Sequence, residues 1–195
     1  EKAGRPWVIV VTSDHGEMLG DHGYFRKCEP YEGSANIPFL FAASQSLRLA
    51  RGVTSHQPAG LEDIMPTLLE LAAVARPASV DGHSLAAVLR DPKASGRAWL
   101  HFEHAPIYSP EQGFQALTDG RYKYIWRPKT GGEQLFDLAT DPREERDLST
   151  VTAQRATLER WRAVLVQRLA GRPEGFSDGA KLIAGRPYPR IQAKR

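Results

Sequence analysis

The chain has 195 residues, 41% of them hydrophobic and 25% charged, enough to bury one substantial core or a core with a small appended layer, so disorder is not expected. Its 26 basic and 23 acidic side chains leave a net charge of +3 spread along the sequence, which mildly favours anionic ligands and offers no clustered basic face for a nucleic acid. No apolar run approaches the roughly 20 residues that cross a bilayer, and the single Cys28 excludes an internal disulfide, so neither a membrane nor a nucleic acid is expected as a partner.

No signal peptide is visible at Glu1, and a chain that starts without Met and almost at once enters an apolar run reads as a fragment, with any targeting segment upstream. Residues 7–12, "WVIVVT", are continuous and β-branched, as in a strand covered on both faces of a parallel sheet, and a site is expected at its carboxyl end. Residues 37–43, "IPFLFAA", read as a second such strand. The long connection between them, 14–36, is rich in Gly, charge and aromatics without helical period, which marks it as functional. Leu61, Ile64, Met65, Leu68, Leu69, Leu71 and Ala72 recur at helical spacing and predict an amphipathic helix on the sheet, with a kink or late start at Pro66. "VDGHSLAAVLRDP" predicts a turn, a short helix and a stop at Asp91-Pro92.

From Trp99 the pattern becomes that of an antiparallel sheet. "FQALTDGRYKYIW" breaks at Asp119-Gly120, a strong hairpin signal, and "EQLFDLATDP" supplies another strand. The basic and aromatic residues of "GRYKYIWRPK" read as a hairpin edge, where Lys and Arg guard exposed backbone. Val151, Leu158, Trp161, Leu165 and Leu169 predict a helix over 151–170 with arginines on its other face. The Pro- and Gly-rich tail beyond Gly171, ending "PYPRIQAKR", shows no period. The expected division is 1–98 as part of an α/β domain and 99–195 as an antiparallel subdomain with a terminal helix and tail.

The chemistry-bearing stretch is "TSDHGE". Asp14 and His15 at a strand end can both face one metal or one phosphate-like group, since the following Gly16 lets the backbone turn without a clashing side chain. On these residues alone, a helix-capping Asp14 and a packed His15 remain the alternative. The pair is not isolated, however. The run "VIVVTSDHGEMLGDHGYFRKCEPYEGSANIPFLF" resembles the metal-binding segment of the sulfatases, within the alkaline phosphatase superfamily. There a strand ends in Ser-Asp-His-Gly, a second "GDHG" follows, then a lysine, then "YE-S-x-x-IP" leading into another strand. The resemblance continues through "RGVTSHQPAGLEDIMPTLLELA", "VDGHSL", "DGRYKYIW" and "EQLFDLATDPREERDL", covering most of positions 7–149.

The resemblance implies an α/β fold, with a mostly parallel sheet and flanking helices as in alkaline phosphatase, plus a small antiparallel carboxyl-terminal subdomain. It matches Asp14 and His15 to Ca2+ ligands and Lys27 to the lysine that contacts the sulfate ester. The activity implied for the complete protein is calcium-dependent hydrolysis of a sulfate ester, of a small molecule or a saccharide, in a bacterial-type soluble enzyme of cytoplasm or periplasm. Asp21 and His22 are expected to fix the loop rather than bind metal. His104, with His101 beside it in "HFEHAPIYS", is a candidate substrate contact; His56 and His83 read as structural. Sulfatases make a formylglycine from Cys or Ser in Cys/Ser-x-Pro-x-Arg. "CEPYE" imitates that motif but ends in Glu32 and lies downstream of the metal strand, so Cys28 is read as a loop residue without a catalytic role. Neither the nucleophile motif nor the amino-terminal Asp-Asp pair of the family occurs, so the formylglycine is expected in a missing upstream segment and the chain alone should not turn over. Two rivals stand beside this reading: a phosphonate monoester or phosphodiester hydrolase of the same superfamily, and a non-catalytic remnant or binding module. The sequence does not fix the oligomeric state.

Overall fold

A computed structural model describes residues 4–188, so the end of the tail, 189–195, lies outside the described residues. In chain order the elements are β1 (Val8–Thr12), α1 (Glu32–Ala35), β2 (Phe39–Ala43), α2 (Ile64–Leu71), α3 (Ala86–Arg90), β3 (Leu100–His104), β4 (Phe114–Thr118), β5 (Tyr122–Trp126), β6 (Glu133–Asp137) and α4 (Arg155–Leu169). They form two compact units. One comprises Ile37–Leu100 with the described part of Glu1–His15; the other comprises Gly16–Asn36 with the described part of His101–Arg195. No helix among the described residues is long and apolar enough to cross a membrane.

In the first unit β1 and β2 pair antiparallel, with Val8 opposite Ala43 and Thr12 opposite Phe39. The unbroken apolar runs predict parallel neighbours. The runs supply two apolar faces whatever the direction of pairing, so they cannot encode it. Burial alternates along both strands. The register sets Ile9 against Ala42 and Val11 against Leu40 on one face, and Ile9, Val11 and Leu40 are more than half exposed there.

The helix around Pro66 starts late, as its proline demands: a 3-10 turn over Leu61–Asp63 precedes α2 and sets Pro66 within the first turn, where its missing N–H costs little. Its packing reverses expectation. Leu61, Met65 and Leu68 face outward, while Asp63, Pro66 and Thr67 are buried. Asp63, with no exposed surface, accepts the Gly60 N–H at 2.9 Å and the His83 N–H at 2.7 Å, and pairs with Arg97. Thr67 Oγ1 donates to Asp63 O at 2.6 Å and accepts the Leu85 N–H at 2.8 Å. "LEDIMPT" and "VDGHSL" thus form one latch. Gly82 is required in it, because its φ is +76° and an added Cβ would collide with the Glu62 carbonyl.

In the second unit the four-stranded sheet runs β3-β4-β5-β6, with β4, β5 and β6 an antiparallel meander. The Asp119-Gly120 hairpin forms as predicted, since Gly120 takes a positive φ and the Asp119 carboxylate accepts the Arg121 and Tyr122 N–H groups. Both sheet faces are covered. Leu158, Trp161, Leu165, Val166 and Leu169 of α4 are buried, and α4 packs on β4 and β5. Met18 and Tyr31, from the segment before β2, complete a second cluster with Phe114, Ala116, Ile125 and Phe136. The "GRYKYIWRPK" stretch is therefore not a guarded edge. β5 lies inside the sheet, and Lys123 is 1% exposed. The tail folds despite its lack of period: Ser177 bridges to Ala170 and Leu182, and Phe176 packs edge-on against Trp126.

Acid should weaken this unit. Arg121 holds the Asp137 carboxyl below its ordinary range by hydrogen bonding; burial would raise Glu133, but the Arg162 and Tyr124 hydrogen bonds outweigh it. Arg172 lowers Glu174, and the backbone N–H groups of Ala180 and Lys181 lower Asp178. Glu144 alone among the shifted carboxyls of the described residues is raised, by burial. A depressed carboxyl contributes stability above its unfolded pKa of about 4, and that contribution disappears as pH falls through the folded value. We expect the unfolding temperature, followed by circular dichroism, to drop steadily from about pH 4.5 to about pH 2.5. A flat profile would remove these four pairs from the account of stability.

Candidate functional site

At the end of β1, Ser13 Oγ donates to the His15 carbonyl at 2.9 Å, folding the chain back so that Asp14 and His15 share one end of the strand. Asp14 Oδ2 stands 3.5 Å from His15 Nε2, with the Asp14 side chain 84% exposed. Two donors each about 2.3–2.6 Å from one cation are about 3.3–3.7 Å apart when adjacent in its shell, so this pair fits two positions on a single ion. It does not complete a shell: among the described residues no three His, Cys, Asp or Glu side chains converge to hold a metal.

Gly16 meets a tighter constraint than the turn inferred from sequence. Its N–H donates to Ser34 O at 2.8 Å, and a Cβ on it would run into the Gly33 carbonyl. Glycine is needed because another backbone approaches so closely.

Lys27 and His104 belong to the other unit. Lys27 is exposed, on a loop closed by Met18 N–H to Arg26 O at 2.7 Å and Gly20 N–H to Tyr24 O at 2.8 Å. His22 stacks on Tyr31, ring centroids 4.1 Å apart, and its Nε2 donates to Arg143 O at 3.0 Å. Asp21 meets Arg143 at 3.4 Å. The second Asp-His pair thus ties the loop to its own unit, the part expected of it. Cys28 is a buried free thiol.

Past Cys28, buried charge takes over. Arg127 Nη2 pairs with Glu29 at 2.9 Å. Lys123 Nζ lies 2.6 Å from Glu32, 2.8 Å from Glu144 and 3.0 Å from Pro30 O, to which it donates. Glu144 accepts the Glu32 N–H at 2.6 Å. Reading Lys123 as an edge guard missed this group. The available signal was strand parity, since Lys123 shares a face with buried Ile125.

His101 and His104 lie on β3. His101 is engaged on both nitrogens: Arg168 Nε donates to Nδ1 at 3.4 Å, so Nε2–H donates to Gln115 Oε1 at 2.9 Å. Burial, partly offset by the Gln115 hydrogen bond, lowers its pKa and so favours the neutral ring. His104 stacks at 6.1 Å on Phe114, and its buried Nδ1 has no hydrogen-bond partner.

Residues 20–170 match the family model described as N-sulphoglucosamine sulphohydrolase, C-terminal. The sequence is 36% identical over 186 residues to an arylsulfatase of Clostridium perfringens, covering 95% of this chain and 38% of that protein. In three dimensions the chain is similar to a protein solved in complex with its substrate D-glucosamine-2-N,6-O-disulfate, with TM-score 0.75, 25% identity, and coverage of 83% of this chain and 34% of that one. It is also similar to a phosphonate monoester hydrolase of Silicibacter pomeroyi, with TM-score 0.70, 26% identity, and coverage of 83% and 34%. The chain spans well under half the length of these relatives.

Proposed function

We propose that the chain, which belongs to the N-sulphoglucosamine sulphohydrolase carboxyl-terminal family of sulfatases, forms part of a sulfuric ester hydrolase whose substrate is a sulfated saccharide or another small sulfate ester. The observation that carries this reading is the 36% identity to an arylsulfatase maintained over 95% of the chain. The sulfated glucosamine bound by a structural relative supports the saccharide class.

Asp14 and His15 would hold a divalent cation, calcium by the hardness of a carboxylate oxygen, with further ligands and the formylglycine nucleophile supplied by other residues of the whole protein. When bound, the cation supplies positive charge against the charge that builds on the sulfate oxygens. Asp14 orients that charge through its carboxylate, and Ser13 steadies the turn beneath it. Lys27 sets its ammonium on the sulfate as a point charge that acts most strongly as the S–O bond breaks. His104 would meet a hydroxyl or sulfate oxygen of the substrate through the ring edge away from its buried Nδ1.

The test is steady-state kinetics of the full-length gene product on an aryl sulfate and on an aryl phosphonate monoester. We expect the larger kcat/KM for the sulfate. A larger value for the phosphonate favours the rival ester, and the similarity to a phosphonate monoester hydrolase keeps that arm necessary. Lys27→Ala should lower kcat by about a hundredfold, the scale of removing one oxyanion-stabilising donor, with a smaller change in KM. Unchanged kcat would take Lys27 out of the site.

A further inference from the structure

A fully buried lysine needs a reason. Desolvating an ammonium costs several kcal/mol, and an apolar residue in its place is often neutral or stabilising, so stability alone does not explain Lys123. What distinguishes it is which groups surround its ammonium. Pro30 O, Glu32 and Glu144 lie within 3.0 Å of Nζ, and Glu144 in turn holds the Glu32 N–H. Every one of these contacts pins residues 30–32, either directly or through Glu144. Arg127, one residue past β5, pins Glu29 at 2.9 Å and donates to Gln112 O. The meander's inner strand thus grips the segment that begins two residues after Lys27.

The backbone at Lys27 needs such a grip. Its two neighbours, Arg26 and Cys28, have φ of +70° and +77°, the left-handed region that side-chain-bearing residues seldom occupy. Such strain persists only where the surroundings over-determine it. On the amino-terminal side Met18 N–H binds Arg26 O; on the other, Cys28 is buried and residues 29–32 are held by charge. Lys27 itself is exposed between them.

We infer that Lys123, acting with Glu144 on Pro30 and Glu32, is a positioning residue that fixes the place from which Lys27 meets the ester; the inference rests on the role proposed for Lys27. Removing both buried charges together, as Lys123→Met with Glu144→Met, leaves neither of the two unpaired in the core. In the full-length gene product, with an aryl sulfate as substrate, we expect the double variant to unfold cooperatively and to lose at least about tenfold in kcat, since a misplacement of about 1 Å costs up to about a hundredfold. Adding Lys27→Ala to it should cost no more than Lys27→Ala alone, because the two act through one group. Retained kcat in the double variant, or losses that add fully to that of Lys27→Ala, would overturn the inference. Should the double variant fail to fold, Glu32→Ala, at a partly exposed position, must by itself lower kcat with little change in KM, and an unchanged kcat there overturns the inference equally. If Lys27→Ala leaves turnover intact, it is the role of Lys27 that fails, which the single variant reveals separately.

Discussion

Asp14→Ala in the full-length gene product should lower turnover of an aryl sulfate by about a thousandfold or more, because the lost carboxylate both loosens a cation and removes the charge that orients it. The change should leave folding intact: the side chain is 84% exposed and its one described polar neighbour is the adjacent His15. Asp14→Asn keeps an oxygen donor without the charge, so it should fall between, and added calcium should restore part of its activity by mass action. The wild type should lose activity in a chelator and regain it with calcium. Kinetics across a calcium titration decide the matter. Turnover that is indifferent to Asp14→Ala would sink the assignment of the strand-end pair, whatever the fate of Lys27.

The second large effect is on stability. Asp63→Ala should destabilise the unit formed around Ile37–Leu100 by about 3–5 kcal/mol, the range for breaking a buried ion pair from one side. The substitution strips two backbone N–H groups, of Gly60 and His83, of their acceptor and leaves Arg97, only 9% exposed, without its inner partner. Asp63→Asn retains one acceptor oxygen and should cost less. Urea unfolding of both variants measures the difference, and a loss under about 1 kcal/mol for the alanine would mean that the latch is not what joins "LEDIMPT" to "VDGHSL".

The contrast between Asp14 and Asp63 explains what the sequence could say. β1, the Asp119-Gly120 hairpin and α4 were legible because each is written in a local period or a turn dipeptide. Asp14, His15 and Lys27 are proposed through an ordered motif with a known chemical logic, and Asp14 Oδ2 stands 3.5 Å from His15 Nε2. Nothing in the sequence singles out Asp63, and Lys123 reads as a guard on an edge, because a buried charge is justified only by partners distant in sequence: Arg97 is 34 residues from Asp63, and Pro30 is 93 from Lys123. The outward turn of Leu61, Met65 and Leu68 was illegible for the same reason. Period locates a stripe but not the side of the helix that the rest of the molecule covers.

The layer that Met18 and Tyr31 lay over the meander has a consequence for the order of events during synthesis. Its contacts with the sheet and its surroundings join residues far apart in the chain: 98 positions from Glu29 to Arg127, 103 from Tyr31 to Gln134, and 112 from Glu32 to Glu144. At about 5–20 residues per second, a ribosome that has made Glu32 needs several seconds more to deliver Glu144. For most of that interval the lysine loop lacks its charge partners and the apolar floor on which it rests, which arrive between Phe114 and Glu144. Closing such long loops is slow in the folding reaction too, since their entropy is lost before the contacts repay it. The loop bearing Lys27 is accordingly expected to take its native form only after β4, β5, β6 and Glu144 are in place, an order that pulse-labelled hydrogen exchange during refolding would check.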